Sequence, residues 1–377
     1  MRFAILTGSF YPEPGGLSTF LHYFLPEAQA AGHDVALVTF GEPLPEDAAR
    51  GYPVTRISRS AGFLRRIVRY VRSARRIARR ADTVFVMGFA VLLIPLLGRT
   101  PRRIVMKIVG DWSWEMARRR GLTTLGQVEF QTARHALPLR ILRAYYLWCV
   151  RRADRIITPS QHLARVITGW GVPAERVQVI YNAVPESDLH TVDRAALRAK
   201  LGLPASGRLL VSVARLTPIK GVHTAIEALA YLPADVALVV VGEGPQQAEL
   251  ERSAPQGRVL FVGAQTHDRV LEYMRAANVY VLSSVIEGLS HTLLEALSVG
   301  TPSVASAVGG NPEVIRDGVD GLLVPHSDPK ALAAAVQRIL DDAPLAERLA
   351  AAAYQRSRAF NWDDEVRQAL AVLTTAG

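Results

Sequence analysis

Short apolar runs recur along this chain. Each is stopped by glycine, proline or a polar turn, and most lead into a longer stretch with the spacing of an amphipathic helix. The pattern predicts strands at residues 2–7, 34–39, 54–57, 103–109, 155–158 and 176–180, and again at 209–213, 236–241, 259–263, 279–282 and 303–305. Helices are expected at 17–31, 63–80, 124–136 and 139–152, from Ser160, from Lys220-Gly221 and from near Ser290. The same spacing places others at 329–341, 345–359 and 362–374. The longest uncharged run, 83–98, has 16 residues and is interrupted by Gly88 and Pro95. It falls short of the roughly 20 needed to span a bilayer and reads as a buried strand with the helix after it. Alternating strands and helices imply an α/β chain with two doubly wound parallel sheets. A polar stretch at 185–206, ending in Pro204-Ala205-Ser206-Gly207, is the expected boundary between domains 1–185 and 186–361.

The helix at 63–80 departs from ordinary patterning. At 100° per residue, with Arg65 as zero, Arg65, Arg66, Arg69, Arg72, Arg75, Arg76, Arg79 and Arg80 all fall between about −80° and +100°. Apolar side chains fill the other half. A helix that covers a sheet and solvates its polar face would look similar. No acidic residue relieves the repulsion among the arginines, however, which favours docking on anionic lipid headgroups. Each arginine near such a surface contributes roughly 1 kcal/mol. The apolar stripe is expected to pack on the protein, making this electrostatic docking rather than insertion. The apolar stretch 139–152, with basic flanks, extends the same surface.

Charge is unevenly distributed. Residues 1–185 hold 27 basic and 12 acidic side chains, and residues 186–377 hold 17 and 22. A basic first half calls for an anionic partner. Nucleic acid would follow from the isoelectric point near 10.0 alone, but no recognition motif appears, so an anionic membrane surface is the expected partner. One cysteine, Cys149, excludes a disulfide framework and fits a reducing compartment. The opening apolar run is too short for a secretory signal. The expected location is cytoplasmic, peripheral at the inner face of the membrane.

Candidate chemistry gathers where strands end. Gly15 and Gly16 lie between the first strand and helix, where a glycine turn lets the backbone approach a phosphate, although a tight turn explains them equally. The dinucleotide fingerprint G-x-G-x-x-G is absent there. Asp111 follows the strand at 103–109. It reads either as a base or sugar-binding carboxylate, or as a helix N-cap. Trp112 and Trp114 beside it suit sugar stacking or core packing. In the second half, Arg215 ends a buried strand and Lys220 starts a helix, a cation pair suited to a diphosphate. The stretch 283–310 is the richest. Glu287 and Glu295 flank a helix start whose Gly288, Leu289, Ser290, His291 and Thr292 offer backbone N–H groups to an anion or sugar. Eight residues of helix rise about 12 Å, so this spacing does not suggest a glycosidase acid–base pair. His267 and His291 read as local polar structure.

Glu287-x7-Glu295, followed by Gly300-Thr301-Pro302 and Gly309-Gly310, resembles the retaining glycosyltransferases of family 4. The resemblance covers nearly the whole chain. It implies the GT-B fold, with two Rossmann-like domains facing across a cleft and a last helix, 362–377, crossing back onto the first. In that family the first glutamate contacts the donor sugar and the second the nucleotide ribose, which maps onto Glu287 and Glu295. Arg215 and Lys220 then hold the donor diphosphate, and Gly15, Gly16, Gly244 and Gly263 become donor-side contacts. Gly110-Asp111 stands where the family often has a histidine, and Tyr181-Asn182-Ala183-Val184 where it commonly has Asn-Gly-Val. The implied reaction moves a sugar from a nucleoside-diphosphate sugar to an acceptor hydroxyl, with retention. A lipid-linked saccharide or glycolipid is the expected acceptor. No cofactor is expected beyond the nucleotide-sugar, and no Asp-x-Asp metal signature is present. A non-catalytic membrane-docking subunit, and a nucleotide-sugar epimerase or phosphorylase, are the alternatives.

Overall fold

A computed structural model describes residues 1–13, 15–60, 62–98 and 103–375, and the expected segment 362–377 thus ends two residues beyond them. The chain divides into one unit of Met1–Tyr181 with Asp363–Gly377 and a second of Asn182–Trp362. Residues 182–185, read from the sequence as the end of the first domain, pack with the second. The Val184 N–H donates to the Phe360 carbonyl at 2.9 Å, and the Asn182 side-chain amide donates to the Leu289 carbonyl at 3.0 Å.

The first unit has a seven-stranded parallel sheet. Its strands are β1 (Arg2–Leu6), β2 (Asp34–Phe40), β3 (Val54–Ile57), β4 (Thr83–Met87), β5 (Arg103–Lys107), β6 (Arg155–Thr158) and β7 (Val177–Val179), in the order β3-β2-β1-β4-β5-β6-β7. Helices α1 (Gly16–Ala30), α2 (Phe63–Ala78), α3 (Trp112–Arg119), α4 (Gln127–Thr132), α5 (Leu137–Val150) and α6 (Gln161–Gly169) connect them. The strand order reverses between β1 and β4, which opens a crevice at their carboxyl ends.

The second unit has a six-stranded parallel sheet. It begins with α7 (Arg194–Leu201) and β8 (Arg208–Val213), then α8 (Val222–Ala228), β9 (Val236–Val241), α9 (Gln247–Ser253) and β10 (Val259–Phe261). Next come α10 (His267–Ala276), β11 (Val279–Leu282), α11 (His291–Ser298), β12 (Ser303–Ser306), α12 (Asn311–Val314) and β13 (Leu322–Val324). Helices α13 (Pro329–Asp341) and α14 (Ala343–Ser357) complete it, and α15 (Trp362–Thr374) closes the chain. The order is β10-β9-β8-β11-β12-β13, with the reversal between β8 and β11. Burial of both faces explains the continuous apolar runs. Leu209, Val211 and Val213 of β8 enter one core and Leu210 the other, as do Tyr280 and Leu282 against Val279 and Val281 of β11.

Three departures from the sequence reading have local causes. The expected helix after β4 is a 3₁₀ segment, Gly88–Leu97, which contains Pro95 and buries most of its apolar side chains. Helix α3 was foreshadowed only by the N-cap alternative for Asp111, without bounds, and α4 is shorter than the 124–136 expected. The apolar half of α2 does not pack entirely on the protein. Tyr70, Val71, Ala74 and Ala78 are buried, but Phe63, Leu64 and Val68 are 60%, 78% and 46% exposed. The Tyr70 hydroxyl donates to the Thr7 carbonyl at 2.8 Å, just past the end of β1. The turns of α2 before Tyr70 therefore extend beyond the strand that supports the rest.

Helix α15 is fastened to the first sheet by a buried ion pair. Lys107 Nζ, at the end of β5, lies 2.8 Å from Glu365 Oε1, and both side chains are 1% exposed. The lysine also sits 4.0 Å from the centre of the Phe20 ring. The Thr83 hydroxyl donates to the Leu373 carbonyl at 2.9 Å.

Candidate donor site

The second unit gathers polar side chains at the carboxyl ends of β8, β9, β10 and β11, around its strand-order reversal. That is the edge at which parallel α/β sheets bind ligands. Arg215, two residues beyond β8, is exposed. Lys220 ends a 3₁₀ turn before α8, and its Nζ lies 2.6 Å from Glu287 Oε1. The same carboxylate oxygen accepts from Ser284 Oγ at 2.7 Å. Glu287 is 8% exposed, so its charge is held by one ion pair and one hydroxyl in a mostly dry setting. Among the described residues Oε2 has no partner.

Backbone contacts fix these side chains. The Val285 N–H donates to the Ile219 carbonyl at 2.9 Å and Ser283 Oγ to the Gly221 carbonyl at 2.8 Å, which ties the β8 loop to the β11 loop. The Gly309-Gly310 turn lies directly against Glu287. At φ +56°, a Cβ on Gly309 would stand 1.7 Å from the Glu287 carbonyl oxygen, and the Gly310 N–H donates to that oxygen at 3.2 Å. The β9 loop presses on Leu216, the residue after Arg215, in a similar way. A Cβ on Gly244 would meet Leu216 backbone atoms at 2.4 Å, and the Leu216 N–H donates to the Glu243 carbonyl at 2.9 Å. The Gly242 N–H donates to the Gly263 carbonyl at 2.8 Å, which draws the β10 end into the same wall.

Ser290 caps α11, accepting from the Leu293 N–H at 3.3 Å, and its hydroxyl lies 3.1 Å from that of Thr292. The Tyr280 hydroxyl donates to Thr292 at 2.8 Å. Gly288, Leu289, His291 and Thr292 thus surround a helix start with a partial positive charge. One turn further, Glu295 has a side chain 16% exposed with His267 Nδ1 at 3.7 Å. Burial pushes its carboxyl up to about 8, which favours the protonated form, able to donate as well as accept.

The structure brings together Lys220, Glu287, Gly288, Leu289 and Ser290, places Arg215, Gly244 and Gly263 on the connected wall, and sets His291, Thr292 and Glu295 on α11. Gly15 and Gly16 belong to the first unit, where they begin α1. Asp111 is fully buried and caps α3, with Oδ1 accepting from the backbone N–H of Ser113 and of Trp114 and from the Ser113 hydroxyl, and Oδ2 accepting from Gln131 at 2.8 Å. With both oxygens engaged and no solvent access, Asp111 meets the helix-cap reading, one of the two given for it from the sequence. Trp114 is 1% exposed and Trp112 packs against the first core, which removes the stacking reading for Trp114. Sequence reading missed Ser284 and Asn182. A serine three residues before a site glutamate was the available signal for the first, and Asn182 stood in the Asn-Gly-Val position already noted.

Comparison with known proteins accords with this geometry. Residues 14–188 match the family model described as Glycosyltransferase Family 4, and residues 193–356 match that described as Glycosyl transferases group 1. The sequence is 34% identical over 244 residues to D-inositol 3-phosphate glycosyltransferase of Acidothermus cellulolyticus, covering 60% of this chain and 54% of the relative. The chain spans about half the length of the curated relatives it matches. Among solved structures, Anabaena HepE in complex with UDP-glucose superposes with a TM-score of 0.81 at 22% identity, over 100% of both chains. WaaG, a glycosyltransferase involved in lipopolysaccharide biosynthesis, gives 0.74 at 19%, over 99% of this chain and 100% of WaaG. Two parallel-sheet units, the donor-site geometry and two family models that between them run from residue 14 to residue 356 lead to one assignment: the chain belongs to the group 1, family 4 glycosyltransferases of the GT-B fold.

Proposed function

We propose that this chain is a retaining, metal-independent glycosyltransferase that takes a sugar from a nucleoside-diphosphate sugar and transfers it to a hydroxyl of a lipid-linked saccharide or glycolipid at an anionic membrane surface. The observation that carries the donor half is the Lys220–Glu287–Ser284 cluster beside Arg215, at the carboxyl ends of β8 and β11. Lys220 and Arg215 bind the diphosphate and stabilise the charge that develops on it as the sugar leaves. Glu287 holds Lys220 in place. On binding, the diphosphate shares the ammonium and Glu287 turns its open oxygen to the sugar hydroxyls. Glu295 meets the ribose. The acceptor hydroxyl attacks the face that the diphosphate leaves and passes its proton to the departing phosphate oxygen, so no covalent protein intermediate is required. The UDP-glucose complex of HepE supports a nucleotide-sugar of this class.

The acceptor half rests on the first unit. Of the eight arginines at residues 65–80, six of them within α2, seven are exposed, and none makes an ion pair among the described residues. Beyond α2, Arg134, Arg140, Arg143 and Arg151 line a hollow of about 730 Å³ beside α5. No described helix is long and apolar enough to cross a membrane, so the proposed association is peripheral. A soluble phosphorylated polyol is the second acceptor reading, favoured by the inositol-phosphate relatives.

Release of nucleoside diphosphate from UDP-, GDP- and ADP-sugars, with and without a membrane lipid extract or inositol phosphate, tests the whole reading. One donor should be consumed, faster with lipid, and Glu287→Ala or Arg215→Ala should lower turnover by about a hundredfold or more. Stimulation by inositol phosphate alone would replace the lipid acceptor. Full turnover in both variants would overturn the donor site.

A further inference from the structure

Three segments of the first unit turn apolar side chains outward. Besides Phe63, Leu64 and Val68 of α2, Leu96 of the 3₁₀ segment is 43% exposed. Along α5, Leu137, Ile141, Tyr145 and Trp148 are 63%, 62%, 37% and 46% exposed, at spacings that form one helical stripe. The segments are fastened together. The Tyr145 hydroxyl donates to the Leu92 carbonyl at 2.6 Å, and Arg75 Nε donates to the Leu96 carbonyl at 2.8 Å. Isolated exposed apolar residues are ordinary on a protein surface, but a joined band of them marks an interaction site.

Within this band runs a groove of about 450 Å³, lined by Phe63, Ile67, Leu93, Trp112 and Leu142, with Arg119 and Arg120 also in its wall. Part of the lining comes from the 3₁₀ segment and α3, which follow β4 and β5 at the carboxyl edge of the sheet. Arg119 and Arg120 make no ion pair among the described residues, and neither do the arginines of α2. An apolar trough beside uncompensated guanidinium groups complements a molecule with a hydrocarbon chain and an anionic head.

We propose that this groove receives one hydrocarbon chain of an anionic membrane lipid, with Arg119 and Arg120 on its phosphate. The inference rests on the membrane-surface reading and deepens it, because it turns a docking face into a site for a single lipid molecule. The apolar band enters the headgroup boundary while the arginines stay at the phosphate level.

The probe is monomeric 12-bromododecyl phosphate, whose bromine quenches tryptophan on contact. Trp112 lies in the groove, and Trp148→Phe removes the exposed tryptophan of α5. In that variant the probe should quench the share of one of the four tryptophans that remain, and Trp112→Phe with Trp148→Phe should abolish the loss. Ile67→Phe and Leu142→Phe, two independent fillings of the groove, should each weaken probe binding about tenfold. Uncharged 12-bromododecanol should bind about tenfold more weakly than the phosphate, and equal binding would remove the arginines from the proposal. Co-sedimentation with phosphatidylglycerol vesicles separates the two readings, since the groove variants should sediment as the parent does. Vesicle binding without quenching would overturn the groove and leave the membrane surface standing. Quenching without vesicle binding would uphold the groove and overturn the surface. A dimer in sedimentation velocity, without quenching, would assign the face to a second copy and also overturn the proposal.

Discussion

Ser284 donates to the same Glu287 oxygen that Lys220 holds, which leaves the other oxygen without a partner among the described residues. Ser284→Ala should leave the fold intact and lower kcat by roughly ten- to a hundredfold, the worth of one hydrogen bond to a charged group. Steady-state kinetics beside circular dichroism would check this, and an unchanged kcat would deny Ser284 a part in orienting Glu287. Glu295 gives a pH signature. Its carboxyl is raised from the ordinary 4.5 to about 8, so the folded state keeps a proton that the unfolded chain releases. Stability should therefore fall as pH rises from about 4.5 to about 8, through this group alone, and level off above. Denaturant melts of the parent and Glu295→Gln across that range should differ in slope. Parallel pH profiles would place the charge elsewhere.

The loops between elements carry what the sequence conceals. Strand positions were legible because parallel strands buried on both faces leave unbroken apolar runs, and those at 54–57, 155–158, 236–241 and 279–282 have the expected bounds. Helix α3 was not, since WSWEMARR is short and its start signal, Asp111, suited a catalytic reading equally well. Asp111→Asn separates the two. Asparagine caps about as well as aspartate, so turnover should stay within severalfold while stability drops by about 1 kcal/mol as the contact with Gln131 is lost. Collapse of turnover in a folded variant would favour the base. Of the candidate donor site, Arg215, Lys220, Glu287 and Glu295 could be named from residue type and the family resemblance, but the partners of Glu287 could not. The turn from Ser284 to Glu287 and the approach of Gly309 are tertiary contacts with no periodicity to betray them. Gly309→Ala would drive a methyl into the Glu287 carbonyl, and the site should lose donor affinity by about tenfold or more, read by calorimetric titration with the active nucleotide-sugar.

For the whole molecule, charge asymmetry is the property that reaches furthest. A first unit whose α2 arginines make no ion pair among the described residues should bind anionic vesicles at low salt and release them as the Debye length shrinks from about 30 Å at 0.01 M to about 8 Å at 0.15 M. Exposed apolar residues from α2 and α5 should leave a salt-resistant fraction, which Leu64→Ser and Ile141→Ser would reduce. Complete release by salt in the parent would mean that the apolar band never enters the lipid.

The Lys107–Glu365 pair joins residues 258 positions apart. On a ribosome adding about 5–20 residues per second, the lysine waits roughly ten to fifty seconds for its counter-ion. Until then the first sheet must bury an uncompensated ammonium or remain open, at a cost of about 3–5 kcal/mol for such a broken pair. The second unit, continuous from Asn182 to Trp362, has no such delay. The half of the protein made first is thus obliged to finish last, and during that interval its apolar, arginine-edged surface is exposed in a nascent chain still tethered to the ribosome.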